Sequence, residues 1–330
     1  MKKVFERDFF GKKIVIEHGE LAKQANGSVL VRYGDTVVLT AAVINKIVNL
    51  LSDFFPLTVN YQEKLYSVGK IPGGFIKREG RPTEAATLAA RMIDRPMRPL
   101  FKEDFKNEVQ VINMVLSVDQ DCAPELTAML GSSLATMLTG APFQGPIAGV
   151  KVGYVDGDYI INPTPKELEQ SILDLTVAGT IDAITMVEAG AKQVSEDIML
   201  EALMKGHEAI KILCAFEQEV LQDIGIEEIT YEHLEIEDEL KEEVKNLVLK
   251  DIDEALRIKE KQAKYQRLDE IKENTVTLYK EKQIDLTEEE LALYIAKVRK
   301  IMEEVEYEAF RKIVVKEHIR ADGRQMDEIR

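Results

Sequence analysis

Short apolar and β-branched runs punctuated by turn residues open the chain. KIVIEHG, SVLVRYG and TVVLTAAVI are separated by Asn26-Gly27 and Gly34-Asp35, a pattern that predicts antiparallel hairpins. GVKVGYV and YIINP flank Asp156-Gly157 in the same way, and ILDLTVAGT and DAITMVEAG read as two further strands. Between them the period lengthens to that of a helix. TEAATLAARMIDR has a Thr83 start and a stop at Pro96, and PELTAMLGSSLATMLTG opens on Pro124 at the first helical position and closes at Gly140. SEDIMLEALMKGHEAIKILCAFEQEV predicts one or two amphipathic helices capped by Ser195. Strands and helices in blocks define an α+β domain over residues 1–215.

From Leu234 the pattern changes to charged residues interleaved with Leu, Val and Ile at spacings of three and four, with almost no Gly or Pro. Helical stretches are expected from Leu234 to about Arg267 and from Thr287 to about Val314, joined by a linker around NTVTLYKEKQIDL. Thr287 with Glu290 forms a capping box. This second region, residues 216–316, is read as an all-helical domain whose Glu/Lys mixture is a solvated surface or a partner-docking face.

Composition narrows the function classes. With 330 residues and 45% hydrophobic content the chain can hold two or three domains. No apolar run is long enough to span a bilayer and MKKVFERDFFGKK does not suit a signal peptide, so a cytoplasmic protein without a membrane partner is expected. Cys122 and Cys214 lie far apart, with no CxxC spacing and no nearby histidine, which favours buried thiols over zinc or a disulfide framework. The formal net charge is -16, with residues 1–210 holding 22 basic and 27 acidic side chains and residues 211–330 holding 21 and 32.

Against that acidity, residues 70–102 gather eight basic side chains (Lys70, Lys77, Arg78, Arg81, Arg91, Arg95, Arg98 and Lys102) and three acids (Glu79, Glu84 and Asp94). One basic strip on an acidic molecule suits local anion binding. Arg91, Arg95 and Arg98 fall at i, i+4 and i+7, where guanidinium forks could line up along a phosphodiester backbone. Salt bridges to Asp94, Glu103 or Asp104 are the alternative. Ahead of them GGFIKREG is a glycine-bounded loop in which Phe75 could stack a base beside Lys77 and Arg78, or else pack inward.

The run KIPGGFIKREGRPTEAATLAARMIDRPMRPLF, together with NGSVLVRYGDTVVL, SVDQDCAPELTAMLGSSLAT and the ending IRADGRQMDEIR, resembles the bacterial polynucleotide phosphorylase family over the whole chain. The resemblance implies a first RNase PH-like core, a helical domain, and in residues 317–330 the opening of a second such core, in which Arg320, Arg324 and Arg330 match basic positions. It also implies a homotrimeric ring that degrades single-stranded RNA from its 3′ end. Inorganic phosphate would be the co-substrate, Mg²⁺ the cofactor and nucleoside diphosphates the products. RNA-degradation complexes are possible partners, and KH and OB-fold domains are expected beyond this sequence. The RNA-binding residues it indicates are Phe75, Lys77, Arg78, Arg81, Arg91, Arg95 and Arg98, although Ile76 and Lys77 stand where the family loop has Phe and Arg.

No catalytic or metal-binding residue is expected within the chain. The family's phosphate-binding and metal-binding runs belong to its second core; at the matching places here stand Glu125, Ile172 and Thr176, and only Asp174 keeps its carboxylate. Gly131-Ser132-Ser133 lies too far inside its helix to present free amides. A non-catalytic RNA-binding scaffold and a protein-docking module are the alternative readings.

Overall fold

The computed structural model describes residues 2–75, 77–283 and 285–329; Ile76 of the loop, Ile284 of the expected linker and Arg330 lie outside the described residues. The chain divides into two units, Met1–Val48 with Phe54–Tyr231, and Asn49–Asp53 with Glu232–Arg330.

The first unit is α+β. Strands β1 (Lys3–Phe9), β2 (Lys12–His18), β3 (Gly27–Tyr33) and β4 (Thr36–Val48) form an antiparallel meander. Phe10 and Gly11 both take positive φ in the β1–β2 turn, as a two-residue hairpin that follows strand twist requires. Strands β5 (Leu57–Glu63) and β6 (Asn107–Ser117) complete a six-stranded sheet of order β1-β2-β3-β4-β6-β5. β6 runs antiparallel to β4 and parallel to β5. A parallel pair needs a long crossover, and here it contains helix α1 (Glu84–Met97). The whole basic strip therefore lies on one βαβ connection.

Helix α2 (Pro124–Leu138) is buried from Leu126 to Thr136 because it packs on β3, β4 and β6 and also meets the second sheet. That sheet has the order β10-β9-β7-β8, built from β7 (Ala148–Val155), β8 (Asp158–Ile161), β9 (Leu173–Gly179) and β10 (Ile184–Ala191). The Asp156-Gly157 hairpin turn has positive φ at both residues. A short helix α3 (Pro165–Gln170) precedes β9, and α4 (Glu196–Ile224) packs on β7 and β9 through Ala202, Gly206, Ile210 and Leu213.

The boundary expected at residue 215 falls inside α4, which is one helix of 29 residues; Phe216, Val220 and Leu221 continue its buried stripe, so the first unit ends near Tyr231. The second unit contains α5 (Asp238–Leu256), α6 (Lys261–Lys282) and α7 (Glu288–Glu317) around Val248, Ile252, Ile271, Val298 and Ile301. The expected linker from Asn274 is instead mostly helical. Thr275, Val276 and Tyr279 are buried there, and the Thr275 and Thr277 hydroxyls donate to the carbonyls of Ile271 and Glu273, so tertiary burial overrides the low helix propensity of a Thr-Val-Thr run. One break, at Arg257–Glu260, falls inside the first expected helical stretch, and the expected linker contributes only its last residues to the break between α6 and α7. The Thr287 capping box forms as expected. After α7, Ile319 and Gln325 make an isolated bridge around a turn at Gly323.

Candidate nucleic-acid interface

The crossover from β5 begins with a 3-10 turn at Leu65–Val68, closed by Gly69 in the left-handed region. Glu79 returns to this turn: one carboxylate oxygen accepts the Leu65 amide at 2.9 Å and the other pairs with Lys64 at 3.2 Å. The amide bond, followed by Lys64, holds the Glu79 carboxyl below its ordinary pKa. Glu79 is the one acid among residues 69–83, and its charge is spent at the base of the loop. At the tip Phe75 is fully exposed, at 102% of its reference surface, and Lys77, Arg78 and Arg81 are exposed without ion-pair partners among the described residues. Gly74 and Lys77 have φ of 74° and 55°. A Cβ placed on Gly73, Gly74 or Gly80 would meet nothing within 4 Å. The inward-packing alternative for Phe75 is therefore not what the structure adopts.

Thr83 caps α1 by accepting the Ala86 amide at 3.1 Å. Ala86, Ile93, Pro96 and Met97 bury one side of the helix, and α1 packs on β5. Pro96 sits in the last turn, where it removes one intrahelical donor just before the helix gives way to a 3-10 turn at Arg98–Leu100. Arg91 and Arg95, one turn apart, are exposed and have no ion-pair partner among the described residues.

Arg98 does not join them. Its guanidinium donates to Asp94 at 2.6 and 3.1 Å and to the carbonyls of Phe55 and Leu57 at 2.9 and 3.1 Å. The alternative of an internal ion pair, with Asp94 as partner, describes Arg98; of the other acids considered, Asp104 accepts instead from the Tyr231 hydroxyl. Sequence reading offered the Asp94–Arg98 clasp as an alternative and missed the Glu79 latch. The first carries a signal, since Asp94 and Arg98 are i and i+4; the second joins residues 14 apart and carries none.

The places matching the family's chemical groups are filled differently. Glu125, in the first turn of α2, pairs with Lys151 at 3.3 Å and keeps negative charge at the helix start. Ser132 donates to Asn113 at 3.0 Å, Ser133 accepts the Ile147 amide at 2.9 Å, and a Cβ on Gly131 would sit 2.4 Å from the Thr40 hydroxyl, so this run is packing material. Asp174 is exposed on β9 with Thr176 buried two residues on. A lone carboxylate beside Ile172 and Thr176 does not fit Mg²⁺, and among the described residues no three His, Cys, Asp or Glu converge on a common point. Both cysteines are buried and free; burial pushes the Cys122 thiol up to about 11. Among the described residues no helix is long and apolar enough to cross a membrane.

A six-stranded and a four-stranded sheet flank a buried helix, with a cationic crossover joining β5 to β6, and together they make an α+β core. The chain belongs to the 3′ exoribonuclease family: the model for domain 1 of that family matches residues 11–142 and the model for domain 2 matches residues 145–209. Residues 239–325 match the family described as polyribonucleotide nucleotidyltransferase, RNA binding domain. The fold alone is shared with the crystal structure of rice Rrp46, at a TM-score of 0.50 and 15% identity, over 67% of this chain and 95% of that one.

More particularly, the chain is similar to polyribonucleotide nucleotidyltransferases. It is 51% identical over 329 residues to that of Streptococcus gordonii, 52% to that of Bacillus cytotoxicus and 53% to that of Listeria welshimeri. Each match covers 100% of this chain and 45% of the relative, so the chain spans somewhat under half the length of the relatives it matches.

Proposed function

We propose that this chain is the amino-terminal part of a phosphate-dependent 3′-to-5′ exoribonuclease, and that its own share of the work is to bind and guide single-stranded RNA. The carrying observation is the loop tip and helix face: exposed Phe75 with Lys77, Arg78 and Arg81 ahead of exposed Arg91 and Arg95, all unneutralised among the described residues. A strand needs both a stacking platform and a line of cations. Arg98 serves this surface as a positioning residue, by tying the end of α1 to the backbone leading into β5.

Phosphorolysis, with Mg²⁺ and inorganic phosphate, belongs on this reading to a second core opening at residues 317–330. Assembly as a homotrimer, residence in the cytoplasm and membership of RNA-degradation complexes follow from the same reading. The residues at the matching places of the first core support a non-catalytic role: Glu125 opposes an anion at the α2 start, and Ile172 and Thr176 offer Mg²⁺ no carboxylate. Incubation of the 330-residue chain with 3′-labelled oligoadenylate, phosphate and Mg²⁺ tests this division of labour. Binding without release of ADP is expected, and steady phosphate-dependent ADP release would refute it.

A further inference from the structure

The helical unit holds a cavity of about 920 Å³ where the start of α6, the later half of α7 and the turn at residues 321–324 meet. Leu268 is buried in its lining, Leu256 and Phe310 are half-buried, and Tyr265 and Tyr307 are more than half exposed. Two helices thus offer phenol rings to one space that also has an apolar lining.

Charge around this space is unbalanced. Lys272 pairs with Glu306 at 2.9 Å and Arg324 with Asp322 at 2.7 Å, which neutralises those four groups. Lys264 donates to the Ala321 carbonyl at 2.5 Å and keeps its charge. Lys259 and Lys261 have no ion-pair partner among the described residues, and Glu303 is the one lining acid left over. Elsewhere in this unit cations on the α5–α7 seam are matched, as in Lys241–Glu304 at 2.7 Å and Lys245–Glu308 at 3.5 Å. The Lys261 ammonium stands 6.0 Å from the Tyr265 ring centroid, so cation and aromatic face occur side by side.

A simple anion would leave the rings and the apolar lining unused, and an apolar ligand would leave the ammonium groups unmatched. A planar base joined to phosphate uses both, and a volume of this size holds a nucleotide. We propose that this cavity is a nucleotide-binding site, with the base against Tyr265 or Tyr307 and phosphate at Lys259 and Lys261. The nucleotide can be a free nucleoside diphosphate or one residue of an RNA strand. The site lies in a different unit from Phe75 and α1, so it stands or falls separately from the RNA-guiding surface.

Titration calorimetry of the 330-residue chain with ADP, oligoadenylate, adenosine and pyrophosphate provides the test. Lys259→Glu/Lys261→Glu and Tyr265→Ala/Tyr307→Ala chains, checked for unchanged circular dichroism, are titrated beside it, as is Arg91→Ala/Arg95→Ala. Saturable ADP binding that weakens at least tenfold in both cavity variants, but persists in the α1 variant, supports a free-nucleotide site. Oligoadenylate binding with the same sensitivity to the cavity variants, without ADP binding, supports a strand site. Neither ligand binding, binding indifferent to the cavity variants, or pyrophosphate binding as tightly as ADP would overturn the proposal. Loss of oligoadenylate binding in the α1 variant alone bears on the RNA-guiding surface and leaves the ADP result to decide the cavity.

Discussion

Arg98 and Asp94 form a two-pronged ion pair at 2.6 and 3.1 Å, and the same guanidinium bonds the carbonyls of Phe55 and Leu57. An arginine committed in four directions within its own chain differs in kind from Arg91 and Arg95, which lie on the same helix with their charge unmatched among the described residues. Arg98→Ala is expected to lower stability by about 1–2 kcal/mol, toward the small side for hydrogen bonds to a charged group because the pair is partly exposed. Arg91→Ala/Arg95→Ala should leave stability within about 0.5 kcal/mol. It should also flatten the salt dependence of single-stranded RNA binding by about 0.7 for each phosphate no longer neutralised. Denaturant melts and anisotropy titrations across a salt series measure the two effects; a stable Arg98→Ala chain with a flattened salt slope would reverse the assignment.

Phe75→Ala is expected to weaken RNA binding by about 1–3 kcal/mol, the worth of one stacked base, with little change in the salt slope. Phe75→Tyr keeps a ring and should retain most of the affinity. Measuring both at two salt concentrations separates stacking from charge.

Glu79 gives the loop a pH response. Its folded pKa is lowered by the Leu65 amide and then by Lys64, so its contribution is present above the ordinary carboxylate range and is lost as pH falls through the depressed value. Hydrogen exchange at the Leu65 amide, corrected for its intrinsic rate, should show protection that declines in that acid window. In Glu79→Gln the same amide should be less protected at neutral pH and show no such decline.

Glu217 behaves in the opposite sense. It is completely buried on α4, where no well-formed hydrogen bond reaches either carboxylate oxygen and the nearby Ser133 hydroxyl only partly offsets the burial. Burial pushes its pKa well above the ordinary value of 4.5. The folded state then holds a proton that the unfolded chain releases, so stability should fall as pH rises from about that value through the raised folded pKa. Glu217→Gln removes this slope. The difference in Tm between variant and wild type should move in the variant's favour from pH 5 to pH 8, and equal shifts at both would contradict a protonated Glu217.

Local signals revealed the elements they govern. Gly34-Asp35 and Asp156-Gly157 marked hairpin turns that formed, whereas Gly27 opens β3 and pairs with Ala42, so the antiparallel β2–β3 pair closes through a longer loop over residues 19–26; Thr83, Ser195 and Thr287 cap the helices they were expected to start. The strands that sequence reading passed over, β1, β5 and β6, include the parallel pair, whose partners are separated by the entire basic strip. Register of that kind is settled by burial across distant segments, which no turn residue announces. Thr275-Val276-Thr277 misled for the same reason: a poor helix former became helix because Thr275 and Val276 are buried in the α6 core. The basic strip was legible as a concentration of charge, but its division into outward-facing Arg91 and Arg95 and inward-committed Arg98 depended on carbonyls of Phe55 and Leu57 some forty residues away.

The glycines of the loop have a consequence for how this surface can change over time. Gly73 and Gly80 have open space where a Cβ would stand and take no left-handed backbone there, whereas Gly74 has φ of 74°. Two of the three glycines can therefore acquire side chains without steric penalty to the folded core, while Glu79 keeps the base of the loop latched. Such positions are an evolutionary dial: aromatic, polar or charged groups can be tried beside Phe75 one at a time, which, on the proposed RNA-guiding role, would alter which bases the tip prefers while the βαβ crossover is left alone.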